Sequence, residues 1–390
     1  MRIVSRILIV AVVLGGFSGA AVHAQDQTAK AIATVKSIGS EARNGASAVS
    51  ALKTLNKAPA SDLIRIVAAI DDANPVAANF LRGAAEAVAA AEIARGGQLP
   101  VDRLEAFVKD TKHAPLSREV AFDLLSSVDS TAADRLIPGM ANDPSVEFRR
   151  AAVARLLESA EKLLADQKLD DAKAQFEKAL ASARDLDQVE KCAEELKKLG
   201  VSVDLRKHFG LLTNWKLIGP FDNTDKKGLE AVYEPEKELK FDAVYQGKEG
   251  EVKWVDYQGE DPFGIIDLNN AVKKYMGAVV YATTTFKSAS AQTVELRLGT
   301  PNAYKVWVNG KLIFGRSEYH RGEQLDQYRM PVELKAGENT ILLKICQNEQ
   351  TETWAQKWQF QIRVCDSVGT AILPSDGVAA VVQEQAGQGN

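Results

Sequence analysis

The chain reads as a multidomain α and β protein, with an N-terminal α-helical repeat region, solenoid-like, followed by an antiparallel β-sandwich. Three observations predict this. Apolar residues recur at helical spacing before about position 210 and alternate with a period of two after it. All five tryptophans lie from Trp215 onward. At 390 residues, the chain is also longer than one hydrophobic core ordinarily supports.

The bulk composition sets the class. With 46% hydrophobic and 26% charged residues the chain can bury a core. Net charge is −4, and basic residues gather only in short pairs such as Arg149-Arg150 and Lys226-Lys227. A binder that neutralises phosphates needs more local positive charge, so nucleic acid is a poor partner.

Residues 1–24 read as a signal peptide. Arg2 and Arg6 precede the apolar run from Ile7 to Leu14, and Val22-His23-Ala24 offers a cleavage site after Ala24. The apolar run is short for a membrane span, and no later segment could cross. The expected location is periplasmic or secreted, with no membrane span after cleavage.

Residues 25–58 are an Ala/Ser-rich leader or weak helix, and residues 59–209 are the helical repeats. Ser61 and Asp62 can cap a helix carrying Leu63, Ile66, Val67 and Ile70. Asn74-Pro75 breaks the chain and starts a second helix that runs to Arg95, before Gly96-Gly97. Pro115 precedes a helix with Val120, Leu124 and Leu125, and Asp143-Pro144 precedes one with Phe148, Ala152, Leu156 and Leu157. This last run resembles the second helix of HEAT-type repeats. The breaks are unevenly spaced, so a generic α-hairpin array is the alternative.

Helical spacing is clearest from Val153 to Leu199. Ala172, Phe176 and Ala179 resemble the small–aromatic–small pattern of a tetratricopeptide hairpin, and Gly200 closes the following helix. A plain helical connector is the other reading.

Residues 210–373 carry the strands. Val294, Leu296 and Leu298 alternate with polar residues, as do Tyr304, Val306 and Val308, then Ile341, Leu343 and Ile345, then Phe360, Ile362 and Val364. Asn309-Gly310 marks a tight hairpin, because both turn positions need positive φ. Gly264 to Leu268, Val279 to Phe286, Lys311 to Phe314 and Met330 to Leu334 complete a two-sheet sandwich. Residues 374–390 are Gly-, Gln- and Ala-rich and read as a disordered tail.

Four segments stand in order: Trp215 to Phe221 (WKLIGPF), Val306 to Leu312 (VWVNGKL), Tyr319 to Gly322 (YHRG) and Leu334 to Lys344 (LKAGENTILLK). Together they resemble the galactose-binding-like jelly roll, in particular the sugar-binding domain of family 2 glycosidases. The resemblance implies a jelly-roll sandwich and carbohydrate as the ligand class. The family's calcium loop is not evident, since Asp222, Asp225 and Asp267 are not at its spacing.

The candidate ligand-binding residues are Trp307, Arg316, Tyr319, His320, Arg321 and Trp354. Alternation pushes the Trp307 indole away from the face of Val306 and Val308, where it could stack on a sugar or anchor a protein contact. The loop behind it supplies donors from Arg316, Tyr319, His320 and Arg321. Trp354 stands in the polar stretch 348–356. Trp215, Trp254 and Trp358 are assigned to packing.

No cofactor, metal site or catalytic residue is predicted. Beyond residue 24 the histidines are His113, His208 and His320, without metal-binding spacing. No nucleophile elbow or phosphate loop occurs. The three cysteines cannot all pair; a Cys346–Cys365 bond is one option. The expectation is a non-enzymatic binding or scaffolding protein, its sandwich contacting glycan or a surface polymer and its helices docking a protein. The alternatives are an accessory or degenerate component of a polysaccharide-degrading system, and a purely structural cell-envelope protein.

Overall fold

A computed structural model describes residues 17–39 and 45–376. The first 16 residues of the expected signal peptide and residues 377–390 of the expected tail lie outside them. The chain divides into two compact units, 1–155 and 156–390.

The first unit is helical. Its elements are α1 (Phe17–Lys36), α2 (Gly45–Leu55), α3 (Leu63–Ala68), α4 (Pro75–Ala94), α5 (Val101–Lys109), α6 (Pro115–Ser126), α7 (Ala132–Leu136) and the start of α8 (Val146–Ala165). α1 runs through the Ala24–Gln25 position without a break. Neighbouring helices pack in pairs, α1 with α2, α3 with α4 and α5 with α6, while α4 touches α1 and α6 touches α3. Leu63, Ile66, Val67, Leu81, Leu104 and Leu125 are fully enclosed in one shared core.

Local signals behave unevenly here. Asn74 caps α4 as its sequence implies, its Oδ1 accepting from the Val76 and Ala77 amides at 3.1 Å each. Asp62 caps nothing; it is buried and accepts from Thr28 Oγ1 at 2.7 Å. α5 is a further helix between those that the sequence marks; its Leu104, Phe107 and Val108 reach the core. Asp143 organises the entry to α8. Buried Arg118 grips its carboxylate with both Nη atoms at 2.7 Å, and the Ser145 amide donates to it at 2.8 Å.

The second unit begins with helices. After the end of α8 come α9 (Leu169–Ser182), α10 (Leu186–Lys198) and α11 (Leu205–Phe209). Ala172, Phe176 and Ala179 are completely buried, which is why their spacing was readable. The change of periodicity near 210 therefore falls inside this unit. The chain is stitched to the last strand there: Leu212 N donates to Ile362 O at 2.9 Å, and Val364 N to Gly210 O at 3.1 Å.

The strands are β1 (Asn214–Asp222), β2 (Val244–Gln246), β3 (Glu251–Lys253), β4 (Val255–Gln258), β5 (Ile266–Asp267), β6 (Ala278–Ser288), β7 (Gln292–Gly299), β8 (Ala303–Val308), β9 (Lys311–Arg316), β10 (Tyr328–Leu334), β11 (Gly337–Gln347) and β12 (Gln359–Cys365). They form a six-stranded sheet ordered β4-β1-β6-β11-β8-β9 and a four-stranded sheet ordered β10-β7-β12-β5, with β2-β3 as a separate ribbon. All pairings are antiparallel. Inward residues of both sheets, such as Val306, Leu343 and Ile345 facing Leu296, Ile362 and Val364, share one core.

Asn309-Gly310 makes the expected hairpin, with φ of 51° and 80°. The Asn309 side chain also reaches the turn before β11, donating to Asn339 Oδ1 at 2.9 Å and accepting from Thr340 N at 3.0 Å.

A second apolar layer lies on the outer face of the six-stranded sheet. It joins Ile218, Phe221, Tyr281, Trp307, Leu342 and Cys346 to Leu229 and Trp254 from residues 223–258. That segment includes α12 (Glu234–Lys237) and the β2-β3 ribbon. A buried lysine fastens it: Lys344 Nζ donates to Leu229 O at 3.0 Å, Ala231 O at 2.6 Å and Glu236 Oε1 at 2.7 Å. The Tyr233 and Tyr281 rings flank the ammonium at 5.4 and 5.6 Å.

Trp307 does point away from the inter-sheet core, but it is not a surface residue: the 223–258 layer leaves it 8% exposed. Cys346 and Cys365 do not bond. They sit on different sheets, and all three cysteines are free and buried.

Candidate ligand-binding surface

Two loops at one end of the sandwich bring functional side chains together. One runs from β9 to β10 and carries residues 317–327; the other runs from β11 to β12 and carries residues 348–358. Strand direction makes this convergence possible: β9 and β11 are both antiparallel to β8, so the loops that leave them emerge at the same end of the sheet.

His320 and Trp354 meet across these loops. Their rings are edge to face at 5.3 Å and 86°. His320 Nε2 lies 2.9 Å from Asn348 Oδ1, and Asn348 Nδ2 donates to Gln350 Oε1 at 2.8 Å. Trp354 itself is 63% exposed, whereas Trp215, Trp254, Trp307 and Trp358 are all buried.

Tyr319 supports the surface from below. Its hydroxyl accepts from Asn223 Nδ2 at 3.1 Å, and burial pushes the phenol up to about 12. Lys226 Nζ sits 5.5 Å from its ring. Asn223 is fully buried and also donates to Gln347 O at 2.8 Å, tying this layer to β11.

Backbone conformation singles out the same region. Six described non-glycine residues have positive φ, and three of them, Asp225, Lys226 and His320, lie here. A left-handed conformation costs a side-chain-bearing residue free energy, and such strain gathers at functional sites.

Arg316 and Arg321 belong elsewhere. Both pair with Glu318, at 3.5 and 3.1 Å, and Arg316 lies over the Phe314 and Tyr328 rings at the sheet edge. Of the six residues singled out in the sequence, Tyr319, His320 and Trp354 thus converge, the two arginines pair with a neighbour, and Trp307 is covered. Sequence reading missed Asn223, Lys226 and Asn348. The only signal was the polar stretch after Gln347, since Asn223 and Lys226 come from a distant turn.

The carboxylates considered for calcium have other partners. Asp222 accepts from Thr224 Oγ1 at 2.7 Å and pairs with Lys248 at 3.0 Å; Asp225 pairs with Lys227 at 2.9 Å; Asp267 accepts from the Asn269 amide at 2.9 Å. In the first unit Asp71, His113 and Ser117 come together, but both the His113 ring and the Ser117 hydroxyl bond to the Asp71 carboxylate. The serine is not aligned with the imidazole, so this is no nucleophile–base pair.

No family model matches the chain, and no curated protein matches it. Solved structures give only loose overlaps. A Kluyveromyces marxianus β-glucosidase in complex with glucose aligns at 13% identity and TM-score 0.24, over 44% of this chain and 18% of its own. A family 35 carbohydrate-binding module from Clostridium thermocellum aligns at 19% identity and TM-score 0.17, over 23% of this chain and 78% of the module. A Podospora anserina mannanase carrying such a module aligns at 16% identity and TM-score 0.15, over 26% of this chain and 24% of its own. The chain spans under a fifth of the β-glucosidase. Overlaps this loose carry no argument about ligand or activity.

Proposed function

We propose that the chain is a non-enzymatic, exported binding or scaffolding protein whose jelly-roll sandwich holds a glycan on the Trp354 face. The single observation behind this is one largely exposed indole, edge-on to His320, with the Asn348 and Gln350 amides beside it. An indole face stacks on the C–H face of a sugar ring, and neighbouring amides exchange hydrogen bonds with its hydroxyls. The helical hairpins of the first unit are read as a HEAT-like repeat that docks a protein partner. A periplasmic or secreted location follows from the sequence of residues 1–24.

A second reading has its own observation. The outer face of the six-stranded sheet is sealed by the chain's own 223–258 layer, as in a structural envelope protein whose sandwich packs on itself. Retention of the full chain on a glycan array separates the two. Binding that falls by about 30-fold in Trp354→Ala supports the glycan reading, on the scale of a central aromatic contact. Absence of retention across the array refutes it.

A further inference from the structure

The outer face of the four-stranded sheet carries a cavity of about 600 Å³, inside the range of small-molecule sites. Its floor is Gln359 and Gln361 of β12, and its walls include Phe263, Leu186 and Glu323. It borrows Glu323, Asp326 and Lys357 from the same two loops but uses none of the ring contacts around Trp354.

The floor and wall contain acceptors without partners. Gln361 is 6% exposed, and its Oε1 has no hydrogen-bond partner among the described residues. Glu323 accepts from Gln359 Nε2 through one oxygen, but its Oε1 is buried and unpartnered. Burial raises the Glu323 carboxyl above the usual range. Leaving such groups unsatisfied is costly in a folded protein, and the cost is removed when a ligand supplies donors.

The neighbouring charges are mostly committed. Asp326 is clamped by Arg363, Nε to Oδ1 and Nη2 to Oδ2 at 2.6 Å each, and by Arg297 Nη1 at 2.7 Å. Arg329 and Lys357, both exposed, stand at the cavity without an ion pair among the described residues. A ligand must therefore donate to Gln361 and Glu323 and accept from the amide N–H groups and Arg329. A hydroxyl does both with one atom. An anionic oxygen brings no donor for the Gln361 and Glu323 acceptors, and Phe263 offers a flat apolar wall.

We infer that this cavity is a second site, for a small, neutral, hydroxyl-rich molecule such as a free monosaccharide or cyclitol, held by Gln361 and Glu323. It does not depend on the Trp354 reading.

The test is saturation-transfer NMR on the full chain with D-galactose, D-xylose, myo-inositol and, as an anionic counterpart, D-glucuronate. The expected result is that a neutral probe binds the wild type and Trp354→Ala alike. Gln361→Met should weaken it at least about tenfold, the loss of one or two hydrogen bonds. Because Gln361→Met removes a buried amide oxygen that has no partner among the described residues, its melting temperature should equal or exceed that of the wild type, a signature a purely structural residue would not give. Glu323→Met should weaken the same probe. The inference is overturned if no neutral probe binds, if only D-glucuronate binds, if Gln361→Met binds as the wild type does, or if binding disappears in Trp354→Ala while surviving in Gln361→Met.

Discussion

Replacing Lys344 by Met should release the 223–258 layer while leaving the two-sheet core folded. The substitution keeps the length of the side chain but removes a fully buried ammonium with three oxygen partners. Glu236, to which Tyr281 also donates, then remains as a largely covered carboxylate without its cation. Breaking one side of a buried pair costs about 3–5 kcal/mol. If that loss falls on the layer alone, its opening equilibrium rises by roughly two to three and a half decades, at about 1.4 kcal/mol per decade. The free cysteines report it without a probe being added to the chain. Cys346 lies under the layer, and burial pushes its thiol up to about 12; Cys365 lies on the other sheet. Site-resolved alkylation should therefore accelerate at Cys346 and not at Cys365. The double variant Lys344→Met, Glu236→Leu should recover part of the loss. Equal acceleration at both thiols, or an unchanged Cys346 rate, would refute the reasoning.

Three further outcomes are expected. Glu119 shares hydrogen bonding with Glu147, and its carboxyl is raised to about 7, first by burial and then by that neighbour. Folding thus favours its protonated form, a contribution present below the unfolded pKa of 4.5 and lost as pH rises through about 7; Glu119→Gln should flatten the fall in melting temperature between pH 5.5 and 8 and be the more stable form at pH 8. Asn74→Ala removes the α4 cap and should lower stability by about 1 kcal/mol in urea denaturation, with an unchanged m-value. Trp307→Ala should cost about 3–5 kcal/mol as a core truncation yet leave glycan retention by the folded protein unchanged, since the ring is covered.

Much of the fold was legible because its signals are local. The Asn309-Gly310 hairpin and the Asn74-Pro75 helix start each depend on residues a few positions apart. Alternation likewise gave the face of Trp307 correctly. It could not give the cover, because residues 223–258 form short, mostly exposed strands with little periodicity of their own. What binds that layer down is long-range: Lys344 reaches Leu229, Ala231 and Glu236 more than a hundred positions away. Polar residues on a strand read as solvent-facing, so a buried lysine was invisible. The same reason hid Asn223 beneath Tyr319, and hid the buried arginines Arg297 and Arg363 that clamp Asp326. Candidate residues from one loop stayed together only where a second loop met them: His320 has Trp354, while Arg316 and Arg321 turn to Glu318.

Selective oxidation of tryptophan tests the glycan face most directly, because Trp354 is the one exposed indole among five. Limited N-bromosuccinimide treatment, read by peptide mass spectrometry, should modify Trp354 first and abolish glycan retention, and a saturating glycan should shield it. Oxidation of Trp354 at the same rate with and without bound glycan, or undiminished retention after it is modified, would contradict the account.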